Sequence, residues 1–160
     1  MDNIIVNKSR LVGQVELSGA KNAALKLLSA SVLTDEPVEI FRSPNGLLDM
    51  KVHISMLNKM GKTCIDKDNY LRIEENTTIS NELLWDERSI RNSLLILGSL
   101  TTRFGTGRVP LPGGCKLGDR KFDLHVMILE QMGARVWEEE GYLCTKSIGK
   151  LKGCEIHLPI

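Results

Sequence analysis

Val109-Pro110-Leu111-Pro112-Gly113-Gly114-Cys115-Lys116-Leu117-Gly118-Asp119-Arg120-Lys121-Phe122-Asp123-Leu124-His125 ends a strand-like run, turns through a glycine pair and leads into a helix start. Pro110 and Pro112 stop the strand, and Gly113-Gly114 give the backbone conformations that other residues avoid. A thiol at Cys115 is thereby presented on a loop. Lys116, Arg120 and Lys121 follow it closely, and neighbouring cations lower a thiol pKa toward neutrality, where the group can exchange a proton or attack. Such a loop suits work on an anionic substrate. The competing reading, a small buried apolar cysteine, fits poorly with the flanking glycines and charges.

Two other chemistries fail on spacing. Gly113 to Gly118 has the separation of a phosphate-cradling P-loop, but Asp119-Arg120 stands where Lys and a hydroxyl residue are needed. Cys64, Cys115, Cys144 and Cys154 contain no C-x-x-C pair, and His53, His125 and His157 are scattered, so no metal site is expected.

Outward from the loop, the order of elements is read from periodicity. Asn3 to Val6 and Gly13 to Leu17 read as short strands, followed by a helix from about Ala20 to Leu33 capped by Ser18, with Ala24, Leu27, Leu28 and Ser31 inward. Lys21 and Asn22 lie in its first turn, where a cation opposes the helix dipole unless an anion faces it. Val38 to Phe41 is a strand and Leu48 to Met60 a helix with Leu48, Val52, Leu57 and Met60 inward, ended by Gly61. Lys62 to Asp66 and Tyr70 to Ile73 form a hairpin. The remainder is a second copy: Leu57 and Leu129, Gly61 and Gly133, Tyr70 and Tyr142, and His53 and His125 each stand 72 residues apart. A fixed offset marks a duplicated unit. The second copy has a helix from about Glu87 to Thr102 with Arg91 on its first turns, a strand Arg108 to Leu111, the Cys115 loop, a helix Asp123 to Met132, and strands Arg135 to Glu138 and Tyr142 to Thr145. Cys154 to Leu158 alternates like an opening strand of a third unit. His125, matched by His53 in the copy without the Gly-rich loop, reads as a packing or capping residue.

Leu-Pro-Gly-Gly-Cys at 111–115, Gly-x-Arg-x-x-Asp-Leu-His at 118–125, Leu-Ser-Gly-Ala-Lys-Asn-Ala-Ala at 17–24 and Leu-Glu-Gln-Met-Gly-Ala at 129–134 together resemble the UDP-N-acetylglucosamine enolpyruvyl transferases, or 1-carboxyvinyltransferases, over essentially the whole chain. The resemblance implies an α/β (α+β) fold of repeated β-α-β-α-β-β units in an inside-out barrel, about two units being present. Residues 1–19 would be strands belonging with a second domain, 20–75 the first unit, 76–148 the second, and 149–160 the start of a third. The implied activity moves the enolpyruvyl group of phosphoenolpyruvate to the 3′-hydroxyl of UDP-N-acetylglucosamine, the first committed step of peptidoglycan synthesis.

By the same resemblance Cys115 is the acid and adduct-forming thiol, Lys21, Arg91 and Arg120 hold phosphate and carboxylate, Asn22 binds substrate, and Lys121, Phe122, Asp123 and Leu124 meet the nucleotide. Relatives carry proline and a smaller branched residue where this chain has Lys121 and Phe122, so the departure bears on nucleotide preference. No cofactor is implied. Three arrangements stay open: part of a longer transferase, a stand-alone binding or regulatory protein, or half of a split enzyme completed by a C-terminal half or partner chain. The isolated 160 residues are expected to be inactive.

Composition narrows the classes further. With 42% hydrophobic and 26% charged residues the chain is an ordinary globular protein, while 4% aromatics and a net charge of +1 offer nothing to nucleic acid. No apolar run approaches the roughly 20 residues needed to span a bilayer. A cytoplasmic protein with reduced thiols is expected.

Overall fold

The computed structural model describes residues 4–113 and 122–159. Helix α1 (Lys21–Ala30) continues into a 3-10 turn (Ser31–Leu33), and β1 (Val38–Phe41), α2 (Leu48–Met60), β2 (Thr63–Lys67) and β3 (Tyr70–Glu74) follow. Helix α3 (Ser93–Phe104), β4 (Thr106–Pro110), α4 (Asp123–Gln131), β5 (Ala134–Glu139) and β6 (Tyr142–Ser147) repeat that order. Each half makes a three-stranded antiparallel sheet with its last strand central, β1-β3-β2 and β4-β6-β5.

Local sequence explains most of these elements. Leu71 and Ile73 of β3 are buried while Tyr70, Arg72 and Glu74 are half-buried, the alternation of a sheet with one face on the core. Gly61 closes α2 at φ +111°, with Lys62 N–H donating to the Leu57 carbonyl at 3.0 Å, and Gly133 occupies the same place after α4 at φ +99°. That left-handed backbone costs glycine least. Asp68 and Glu140, 72 apart, take positive φ in the two hairpins.

The units meet through their helices. Ser29 of α1 and Ser99 of α3 are both buried, and the Ser99 hydroxyl donates to the Ser29 carbonyl at 2.9 Å across the contact. Leu28, Val32, Met56, Leu57, Leu97 and Leu100 fill one core spanning both halves, each such side chain contributing about 1.5–3 kcal/mol. A buried ion cluster also joins the halves: Glu75 accepts from Lys62 Nζ at 2.7 Å and from Arg103 Nη1 and Nη2 at 2.7 and 2.9 Å. Lys62 and Arg103 also donate to the Thr34 and Val32 carbonyls.

Several sequence expectations are corrected. Residues 4–19 form no strand; Ile4, Val6, Val15 and Leu17 are at least 75% exposed, since alternation creates an apolar edge but supplies no neighbour for it to pair with. Ser18 does not cap α1, whose N-cap is Ala20. Gly19, just before the helix, lies so close to the Arg42 carbonyl that a Cβ there would collide with it. The buried face of α1 is Ala24, Leu25, Leu28 and Ser29, and Leu27 is exposed. In α2 Leu48 is exposed and Met50, His53 and Met56 are buried instead.

Helix α3 begins at Ser93, not near Glu87. Trp85 Nε1 donates to the Arg88 carbonyl and Ile90 is buried, so segment 87–90 is held against the core outside the helix. Arg91 therefore stands in the turn before α3. Each half runs α-β-α-β-β; the opening strand of the second is reduced to a single parallel bridge, Glu82 to Arg108. Cys154 to Leu158 forms no strand.

Candidate functional site

The beginnings of α1, α3 and α4 converge on one cleft of about 230 Å³, lined by Asn22, Lys26, Arg91, Asn92, Leu95 and His125. Asn22 and Lys26 are four residues apart on α1 and so share a face. Arg91 and Asn92 form the turn that starts α3, with the Leu94 N–H donating to the Arg91 carbonyl at 3.2 Å, and Leu95 lies one turn on. His125 projects from the first turn of α4, its N–H donating to the Phe122 carbonyl at 2.9 Å. Helix N-termini carry unpaired N–H groups and the positive end of the dipole, which favours an anion.

His125 also borders an apolar groove with Leu94, Leu95, Ile128 and Leu129. Burial there, with the nearby Arg91 charge second, pushes its pKa below the usual histidine value. At neutral pH the ring is therefore an uncharged hydrogen-bonding group.

Of the residues that the sequence singled out, Asn22 and Arg91, 69 positions apart, meet in this cleft. Lys21 does not line it; its Nζ pairs with Asp49 Oδ2 at 2.7 Å. Phe122 is half-buried and packs against the core, Asp123 is exposed at the first position of α4, and Leu124 is half-buried. Cys115, Arg120 and Lys121 lie outside the described residues. The loop that carries them leaves the described part at Gly113, which is close against Ser89 and whose neighbour Leu111 accepts from the Ser89 hydroxyl at 3.0 Å, and re-enters at Phe122 beside the cleft.

Lys26, Asn92 and His125 were not marked as site residues by the sequence. Only the four-residue step from Asn22 to Lys26 carried a hint. Among the described residues no three of His, Cys, Asp and Glu cluster as metal ligands, and no helix is long and apolar enough to cross a membrane.

The family model described as EPSP synthase (3-phosphoshikimate 1-carboxyvinyltransferase) matches residues 5–160. A UDP-N-acetylglucosamine 1-carboxyvinyltransferase from Maricaulis maris is 43% identical, with 99% of this chain and 38% of the relative covered. One of the same name from Serratia proteamaculans is 41% identical, with 95% and 36% covered. The chain thus spans under two fifths of the length of these curated relatives. Among solved structures, the enolpyruvyl transferase NikO from Streptomyces tendae aligns with a TM-score of 0.70 at 20% identity, covering 92% of this chain and 32% of that one. EPSP synthase from Acinetobacter baumannii aligns with a TM-score of 0.64 at 18% identity, covering 92% and 35%. Both likenesses are of fold.

Proposed function

Because the chain belongs to the EPSP synthase (3-phosphoshikimate 1-carboxyvinyltransferase) family, we propose that it is the N-terminal part of an enzyme transferring the enolpyruvyl group of phosphoenolpyruvate to the 3′-hydroxyl of UDP-N-acetylglucosamine, at the start of peptidoglycan synthesis. The observation that carries this reading is the meeting of Asn22 and Arg91 in one cleft beside the point where the Cys115 loop rejoins the fold. The name shared by relatives at about 40% identity, UDP-N-acetylglucosamine 1-carboxyvinyltransferase, supports the sugar nucleotide and the group transferred.

In this reading the Cys115 thiol gives a proton to the methylene carbon of phosphoenolpyruvate while the sugar hydroxyl, yielding its own proton to a base in the remainder of the enzyme, adds to the neighbouring carbon. Loss of a proton from the methyl group so formed, together with loss of phosphate, then restores the double bond. Alternatively the thiol itself adds and forms a phospholactoyl adduct. Lys21, Arg91 and Arg120 hold the phosphate and carboxylate; arginine suits this because its planar fork pairs two oxygens and stays charged as phosphate leaves. Asn22 binds substrate, and Lys121, Phe122, Asp123 and Leu124 face the nucleotide. The free thiols Cys64, Cys144 and Cys154 accord with the reducing cytoplasm.

The test joins this chain to the complementary C-terminal part of the Maricaulis maris relative and follows phosphate release from phosphoenolpyruvate. Release that needs UDP-N-acetylglucosamine and is lost in Cys115→Ala is expected. Release indifferent to UDP-N-acetylglucosamine, or retained in Cys115→Ala, would overturn the assignment.

A further inference from the structure

Lys26 lies in the cleft with no ion pair or hydrogen bond among the described residues. Its own helix, Lys-Asn-Ala-Ala-Leu-Lys-Leu-Leu-Ser-Ala, holds no acidic residue, so the usual i±4 partner is missing. The described residues across the cleft are Arg91, Asn92, Leu95 and His125, and none is a carboxylate. Two cations, two amides and an imidazole thus face one volume of about 230 Å³ with no acidic group among the described lining residues. An ammonium without a carboxylate partner, set in a cleft with amide and imidazole groups, is suited to an anion, which supplies the missing opposite charge. Lys26 Nζ offers three donors on a flexible stem, suited to a point contact with a phosphoryl oxygen, while the Arg91 fork can engage two.

We propose that Lys26 is a further anion-binding residue of this site, which takes a phosphoryl oxygen of the substrate jointly with Arg91 and sets its affinity without entering the chemistry. This rests on the function proposed above and adds a residue to it. Being exposed on the rim of α1, Lys26 contributes little to the core, so its removal leaves the fold intact.

The chain carries its own reporters. His125 lines the cleft, His53 is fully buried in the core, and His157 is exposed near the C-terminal end. Ring resonances of the three histidines are followed by NMR in the 160-residue chain during titration with inorganic phosphate, phosphoenolpyruvate and UDP. The His125 signal is expected to shift and saturate while His53 stays fixed. Lys26→Met should weaken the dissociation constant about fivefold, the worth of one exposed ion pair, and flatten its salt dependence, and Lys26→Arg should restore both. Response to phosphoenolpyruvate without response to UDP assigns the phosphoryl group to the former, and the reverse assigns the diphosphate; Lys26 dependence is required in either arm. A Lys26→Met curve superimposed on the parent while Arg91→Gln weakens binding rejects Lys26 and leaves the functional reading standing. No saturable His125 shift in the parent chain rejects the anion cleft and the Lys26 assignment with it, while phosphate release by the joined enzyme decides the functional reading separately.

Discussion

Lys21 Nζ lies 2.7 Å from Asp49 Oδ2, so the first residue of α1 is tied to the first turn of α2. An ammonium at the start of a helix opposes the dipole, whereas a carboxylate there is favoured. Asp49 thus satisfies its own helix and offsets the misplaced charge on the other. The pair is exposed by 43% and 33%, which limits it to about 1 kcal/mol or less.

If Lys21 serves a phosphate, Asp49 competes with that ligand. Asp49→Asn should tighten the dissociation constant for phosphate about two- to fivefold and leave thermal unfolding nearly unmoved, as expected when an exposed pair is lost. Lys21→Met should weaken it. Equal constants in the parent and Asp49→Asn would show that Lys21 stays bound to α2 while ligand binds elsewhere.

His53 supplies a pH dependence. Fully buried, its ring nitrogen Nε2 is 3.4 Å from the Ser29 hydroxyl, which already donates to the Leu25 carbonyl. Ser29 can therefore only accept, Nε2 carries the proton, and Nδ1 is left without a partner. Burial lowers the pKa from 6.5 to about 4. The unfolded chain then binds more protons than the folded one between these values. Stability is full above pH 6.5 and falls as pH drops toward 4, by about 2 kcal/mol between pH 7 and pH 5. Lowered His125 adds a slope of the same sign. Denaturant unfolding at both pH values should show the loss, and His53→Gln should remove most of it; an unchanged slope in that variant assigns the dependence elsewhere.

Much of the fold was legible because its signals are local. Gly61 and Gly133 mark two helix ends, Leu71 and Ile73 alternate on a central strand, and the 72-residue offset links the halves. The errors fall where tertiary contacts decide. Glu87 to Ile90 suits a helix, but the Trp85 to Arg88 hydrogen bond and the burial of Ile90 claim that segment. Val15 and Leu17 alternate like a strand without a neighbour to pair with. In the cleft, Asn22 and Arg91 were read by resemblance; Lys26 was not, because a lysine on a helix looks like any solvated one until α3 and α4 are placed across from it.

The cluster at Glu75 yields the largest expected loss of stability. Side-chain exposures of 1% for Lys62 and 5% for Glu75 put the pair out of water, and Arg103, at 18%, reaches the same carboxylate from α3 of the other half. Burial raises the Glu75 pKa, but hydrogen bonds from Arg103 and Lys62 outweigh it and the net shift is downward, so the carboxylate is charged at neutral pH. Forming such a cluster gains little over an apolar contact, because desolvation cancels much of the attraction; removing one member is different, since the others stay buried without compensation. Glu75→Ala strands two cations and should cost about 3–5 kcal/mol, a fall in melting temperature on the order of 10 °C for a chain of this size. Glu39→Gln breaks the Arg72 pair, in which both side chains are well exposed at 35% and 40%, and should barely move the transition. Comparable shifts in the two variants would mean that water reaches Glu75, and that helix packing around Ser29 and Ser99, not the ion cluster, holds the two halves together.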